Sequence, residues 1–135
     1  MADCLFCRIA SGALPTELVH ESPAAVGFLD AHPAARGHVL VVPRLHAPNL
    51  LDLPDEAVGG LFQAVKAVQG KVARALVPMA FHVGWNHGSD AGQHVFHLHV
   101  HVLPRYAAGG RGIQSLGTGG DRGELAALAA LIRSA

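Results

Sequence analysis

The run His97-Leu98-His99-Val100-His101-Val102-Leu103 concentrates more reactive side chains than any other stretch of the chain. In an extended strand, successive side chains point to opposite faces. His97, His99 and His101 would then share one face, with neighbours roughly 6–7 Å apart from a rise of about 3.3 Å per residue. A helix would scatter the same rings in steps of about 100°. Phe96, Leu98, Val100 and Val102 fall on the other face, which reads as core. A row of imidazoles permits two chemistries. Residues i and i+2 of a strand can grip one metal ion. Alternatively, a neutral imidazole is a nucleophile toward phosphorus and leaves again readily from the N–P adduct, while its neighbours donate to phosphate oxygens as charge builds. The plain alternative is a polar sheet face that happens to be rich in histidine. Three alternating histidines between apolar residues argue against it.

The chain holds ten histidines and two cysteines. His20, His32, His82 and His87 sit in no motif and read as surface or locally hydrogen-bonded residues. His38 precedes an apolar run and reads as packed or hydrogen-bonded at a strand start. Cys4 and Cys7 have the spacing of half a zinc site. On the residues alone, two small buried thiols or a redox pair remain open, although no thioredoxin-like βαβ pattern surrounds them. Gly88 and Gly92 mark a turn that could bring backbone amides to a phosphate, or a plain loop.

The elements that must position these groups follow from patterning. Phe6–Ala10 reads as a short helix or turn. Leu18–Glu21 and Ala25–Leu29 read as strands around the Ser22-Pro23 turn, and Asp30–Gly37 as a loop. The apolar run His38–Val42, bounded by Gly37 and Pro43, reads as a strand buried on both faces. Asp52-Leu53-Pro54-Asp55-Glu56 is a helix start with Asp52 as cap. Val58, Leu61, Phe62, Val65, Val68, Val72 and Leu76 then recur at helical spacing, giving one apolar side to pack on a sheet. Phe81–Asn86 and Val95–Leu103 complete five expected strands, the last ended by Pro104. Residues 107–120 are glycine-rich and read as a flexible segment; 121–135 contain a C-terminal helix over Glu124–Ile132. Strands, one long helix and further strands predict an α+β fold with an antiparallel five-stranded sheet.

At 135 residues the chain fits one domain with its own core, assigned to residues 1–106. Half of the residues are hydrophobic and 15% charged, which excludes a disordered chain. Ten Lys+Arg balance ten Asp+Glu, so overall charge predicts no nucleic-acid or acidic-membrane partner. The N-terminus lacks a signal-peptide pattern, and no apolar run approaches the roughly 20 residues that span a bilayer. A reducing cytoplasm is the expected location.

The pattern His-φ-His-φ-His-φ-φ, with φ apolar, resembles the signature of the histidine-triad (HIT) superfamily. Arg36-Gly37-His38-Val39-Leu40-Val41-Val42-Pro43-Arg44-Leu45-His46 resembles the segment that precedes the long helix in this family, and Asn86, Gly88, Ala91-Gly92-Gln93, the triad and Pro104-Arg105 resemble its second block, so the likeness covers about residues 4–105. The cysteine pair and His46 resemble the Hint-like branch. The resemblance implies a HIT-like, homodimeric enzyme acting on purine nucleotides. His99 would attack the α-phosphorus and form a nucleotidyl-histidine, and water would release a nucleoside monophosphate. The substrates implied are nucleoside phosphoramidates or dinucleoside polyphosphates. His97 and His101 complete the catalytic triad. Asn86, Gln93, His94 and His101 would contact the phosphate side, Asp30 the ribose hydroxyls, and Phe6, Ile9 and Phe28 the base. A uridylyltransferase relative of the superfamily implies a structural zinc on Cys4, Cys7, His46 and His97; the chemistry itself would need no cofactor. His94 departs from the small hydroxyl residue usual at its position, and residues 107–135 do not resemble the tail of animal Hint proteins. Two other classes compete with this reading. One is a metal-dependent hydrolase using the histidine strand as ligands, separable by chelator sensitivity of the folded protein. The other is a nucleotide-binding protein without turnover.

Overall fold

The computed structural model describes residues 3–106 and 124–135. Ten elements follow in order, and eight are regular helices or strands: α1 (Leu5–Ala10), β1 (Leu18–Glu21), β2 (Ala25–Leu29), β3 (Val39–Pro43), α2 (Asp55–Leu76), β4 (Ala80–Gly84), β5 (Val100–Arg105) and α3 (Leu125–Arg133); the other two are single 3-10 turns at Leu50–Asp52 and Ser89–Ala91. The strands form one sheet in the order β1-β2-β3-β5-β4, and every pairing is antiparallel. This is the α+β architecture expected, with the long helix laid on the sheet.

β2 and β3 are buried along their whole length, because the sheet is covered on both faces. Alternation divides β3: Val39 and Val41 enter the main core under α2, whereas Leu40 and Val42 join Phe6, Ile9, Val26 and Phe28 in a smaller cluster under α1. α2 contributes Leu61, Ala64, Val65, Val68 and Val72. Burying each of its larger apolar side chains stabilises the fold by about 1.5–3 kcal/mol. Gly27 allows that helix to press on β2, since a Cβ there would stand 3.0 Å from Val68 Cγ2. α3 adds Leu128, Ala129 and Ile132 to the same main core, so the described C-terminal residues share the domain's core. The expected segment 107–120 lies outside the described residues.

Four expected boundaries shift. The third strand starts at Val39 and includes Pro43. The fourth spans Ala80–Gly84 rather than Phe81–Asn86. Asp52 closes a 3-10 turn, its carboxylate accepting the Asn49 N–H at 3.1 Å, and α2 begins only at Asp55. Finally, the histidine segment is not one strand over 95–103. Its ladder begins at Val100 and continues through Pro104 to Arg105. Residues 95–99 bend away: Leu98 donates its N–H to Ala47 O at 2.7 Å instead of to a sheet neighbour. Pro104 is tolerated because β3 pairs with β5 only as far as Val102, leaving no acceptor on that side. The bend also turns Phe96 outward; expected in the core, it is half exposed. Leu98, Val100 and Val102 are core as expected.

Candidate functional site

On the sheet face opposite α2, a cavity of about 680 Å³ opens between α1, the end of β2, the loop after it and the segment 92–101. That volume lies within the range of small-molecule sites. Phe6, Ile9 and Phe28 form an apolar wall, and Asp30, Asn86, His94, His99 and His101 supply polar groups. Eight residues singled out in the sequence thus meet around one space. Phe6 packs edge-on to Phe28, with ring centroids 5.5 Å apart, and edge-on to His99 at 5.0 Å. The rings of His99 and His101 lie 5.2 Å apart.

Backbone groups assign the proton on each ring. His99 Nδ1 meets His97 O at 2.8 Å. A carbonyl only accepts, so Nδ1 carries the proton and Nε2 holds a free lone pair in a ring that lines the cavity. Burial pushes the His99 pKa down, although the His97 carbonyl and Asp30 oppose the shift; the neutral, nucleophilic form is therefore favoured. His101 is fixed through a second ring. Ala34 N–H donates to His38 Nδ1 at 3.1 Å, so the proton of neutral His38 sits on Nε2. That Nε2–H donates to His101 Nδ1 at 2.9 Å, which leaves His101 with an Nε2–H. This last atom is buried and has no partner among the described residues. Burial, with His38 and His99 adding to it, lowers the His101 pKa to about 3, so the ring offers a neutral donor. Asp30 Oδ2 also lies 3.7 Å from His38 Nδ1. The shorter amide contact and the burial that lowers the His38 pKa favour a neutral His38 over an ion pair.

His97 does not join this pair. Its ring packs edge-on to Phe6, with centroids 6.1 Å apart, is fully buried and does not line the cavity. Expected as a third catalytic side chain, His97 meets His99 through its backbone carbonyl rather than lining the cavity with its ring. Its Nε2–H donates to Pro43 O at 2.8 Å, so its Nδ1 lone pair faces the Cys4 and Cys7 sulfurs, 3.4 Å from each. Cys7 Sγ also lies 3.2 Å from His46 Nδ1. Those four donor atoms stand within 4.8 Å of one another. A tetrahedral zinc site with bonds of about 2.0–2.3 Å puts its ligand atoms roughly 3.3–3.8 Å apart. Two sulfurs and two imidazole nitrogens, one of them already aimed by a backbone acceptor, fit that ion.

Gln93, expected on the phosphate side, does not line the cavity: it is almost completely buried and its amide is engaged. Oε1 accepts the Gly88 N–H at 2.8 Å, and Nε2 donates to Pro48 O at 2.9 Å and to Val95 O at 3.1 Å. Gln93 therefore holds the glycine-bearing loop, in which Gly88 and Gly92 have φ of +90° and +100°, and so places its neighbour His94 at the cavity rim. Two further histidines reach the site, His32, read as a surface or locally bonded residue, and His38, which is hydrogen-bonded at a strand start as expected. His32 lines the cavity beyond the turn in which Asp30 Oδ1 accepts its N–H at 2.9 Å, and His38 stands behind His101. The Asp30-x-His32 spacing was the available signal for the first.

Comparison with known proteins settles the family. Residues 11–108 match the family model described as HIT domain. The chain belongs to the HIT family. Among its relatives, Protein hit of Bacillus subtilis is 36% identical over 107 residues, which are 79% of this chain and 74% of the relative. The adenosine 5'-monophosphoramidase hnt1 of Schizosaccharomyces pombe is 36% identical over 102 residues, 76% of this chain and 74% of the relative. A Zn-bound histidine triad family protein from Mycobacterium smegmatis superposes with a TM-score of 0.80 at 32% identity, covering 98% of this chain and 92% of that one. The likeness to the fission-yeast protein agrees with the Hint-like branch of the family. No helix among the described residues is long and apolar enough to cross a membrane.

Proposed function

We propose that the protein hydrolyses or transfers purine nucleotides at the α-phosphorus through a covalent nucleotidyl-histidine. The base lies against Phe6, Ile9 and Phe28, and the Asp30 carboxylate accepts from the ribose hydroxyls, a geometry suited to one acceptor and two adjacent donors. The α-phosphate sits between His99 and His101, with Asn86 and His94 at its open side. His99 Nε2 attacks phosphorus; the N–P bond forms as the bond to the leaving group breaks, and the departing group takes up a proton from solvent water, to which the attacking water of the second step returns one. In the adduct the His99 ring is cationic, and its Nδ1–H remains bonded to the His97 carbonyl. The Nε2–H of His101 donates to a phosphate oxygen or the leaving atom. Water then attacks phosphorus, releases the nucleoside monophosphate and regenerates His99. Phosphoramidates and dinucleoside polyphosphates both make these demands, and the fission-yeast relative's name supports the first.

The observation that carries this reading is the tautomer of His99, held by its own backbone with the lone pair free in a nucleotide-sized cavity. The test is release of AMP from adenosine 5′-phosphoramidate by wild type and by His99→Ala at matched folding. A loss of several orders of magnitude supports it; equal turnover by both sinks the covalent mechanism. Zinc on Cys4, Cys7, His46 and His97 has a structural role in this scheme, and the active form is a cytoplasmic homodimer. One observation favours a second reading: Asp30, His38 and His101 also bring ligand atoms within 4.8 Å, as a metal-dependent hydrolase would. Activity lost to a chelator while the four-residue centre stays loaded would select it.

A further inference from the structure

The four-residue centre and the cavity share parts. Between Cys4 and Cys7 runs the first turn of α1. Cys4 caps that helix, its sulfur accepting the Cys7 N–H at 3.4 Å. The same turn carries Leu5 and Phe6 into the cavity wall, Ile9 follows one turn later, and Phe6 touches the nucleophilic ring of His99. A helix of six residues is too short to persist unless something docks it. Here the docking is done by the small cluster under α1 and by the two sulfurs facing His46 and His97. His97 provides a second connection. Its side-chain Nδ1 faces the sulfurs, its Nε2–H is tied to Pro43 O, and its backbone carbonyl holds His99 Nδ1. One residue thus belongs to the metal centre through its ring and to the nucleophile through its main chain.

We propose that Cys4, Cys7, His46 and His97 act as the positioning element of the nucleotide cavity, so that a zinc ion in the centre and a purine monophosphate in the cavity bind cooperatively. The proposal rests on the nucleotide reading above. An ion on the four donors holds α1 down; the base packs on Phe6 and Ile9 only when α1 is down. Whichever ligand arrives first orders the helix, and the second meets a wall already formed. Coupling between two sites is reciprocal, so each ligand raises the other's affinity by one common factor.

The experiment uses the full chain, stripped of metal and then reloaded with Zn(II). AMP and GMP affinities are measured by calorimetry in both states, and Zn(II) affinity by competition with a chromophoric chelator with and without saturating AMP. The expected result is a tightening of about tenfold, equal in the two directions. Cys7→Ser should bind AMP with the metal-free affinity whatever the zinc concentration. Phe6→Ala keeps all four donors and should still bind Zn(II), more weakly because Phe6 helps dock α1, while the coupling factor falls toward one. Nucleotide binding that is equally tight in both metal states overturns the coupling and leaves the nucleotide reading standing. No nucleotide binding in either state overturns that reading and the coupling with it. A factor undiminished in Phe6→Ala overturns the route through α1, because linkage through folding of the whole chain would survive that change. Failure to bind Zn(II) overturns the proposal outright.

Discussion

The relay from the Ala34 amide through His38 to His101 makes a prediction that needs no substrate. Reversing the protons on both rings keeps the His38–His101 hydrogen bond but sets a ring N–H against the Ala34 N–H, losing that bond. Reversing His38 alone loses both. The smaller penalty is one buried hydrogen bond, about 1–3 kcal/mol, which corresponds to a preference of roughly 5- to 150-fold for His101 Nε2–H. Long-range imidazole ¹⁵N spectra at pH 7.5 should therefore find the proton on Nε2 in His38, His97 and His101, and on Nδ1 in His99 alone of the four. His38→Leu leaves the Ala34 N–H and His101 Nδ1 without partners. It should cost about 1–3 kcal/mol of stability for each group that water does not reach and turn the His101 signal into a mixture of tautomers. In the proposed reaction it should lower kcat more than it changes KM, since His101 donates to charge that grows in the transition state. A wild-type His101 protonated on Nδ1, or an unchanged His101 spectrum in the Leu variant, would refute the relay.

Three further outcomes follow from the same structure. His38, His97, His99 and His101 all have pKa values lowered chiefly by burial. The unfolded chain therefore takes up protons first as pH falls below about 6.5, and stability should decline from there, for His101 continuing down to about pH 3; urea midpoints at pH 7.5 and 5.5 measure this, and equal midpoints contradict it. The acid limb of kcat/KM should likewise fall below pH 6.5, because neutral His99 persists to lower pH than a free imidazole. Gly37 has φ +89°, and a Cβ there would run into Leu76; Gly37→Ala should cost about 2 kcal/mol or more from backbone strain and the clash, read as a lowered midpoint in urea.

The sequence alone determined the elements and the residue types of the site. Period-2 alternation and apolar runs bounded by glycine and proline marked the strands; helical spacing marked α2; and alternation placed His99 and His101 together, because adjacent odd positions of an extended segment must share a face. Only tertiary structure decided which histidine did what. Ala47 O takes the Leu98 N–H and Pro43 O the His97 Nε2–H, so His97 stays beside Phe6 as its spacing implied, but its ring is directed to the two sulfurs and not into the cavity. Gln93 was diverted for the same kind of reason: Gly88, Pro48 and Val95 each needed a hydrogen-bond partner, and a buried amide could serve all three. The role of His38 depends on a ring 63 positions away. Spacing along a chain reports which side chains can point together, but the proton each imidazole carries is set by backbone amides and carbonyls brought to it from distant segments.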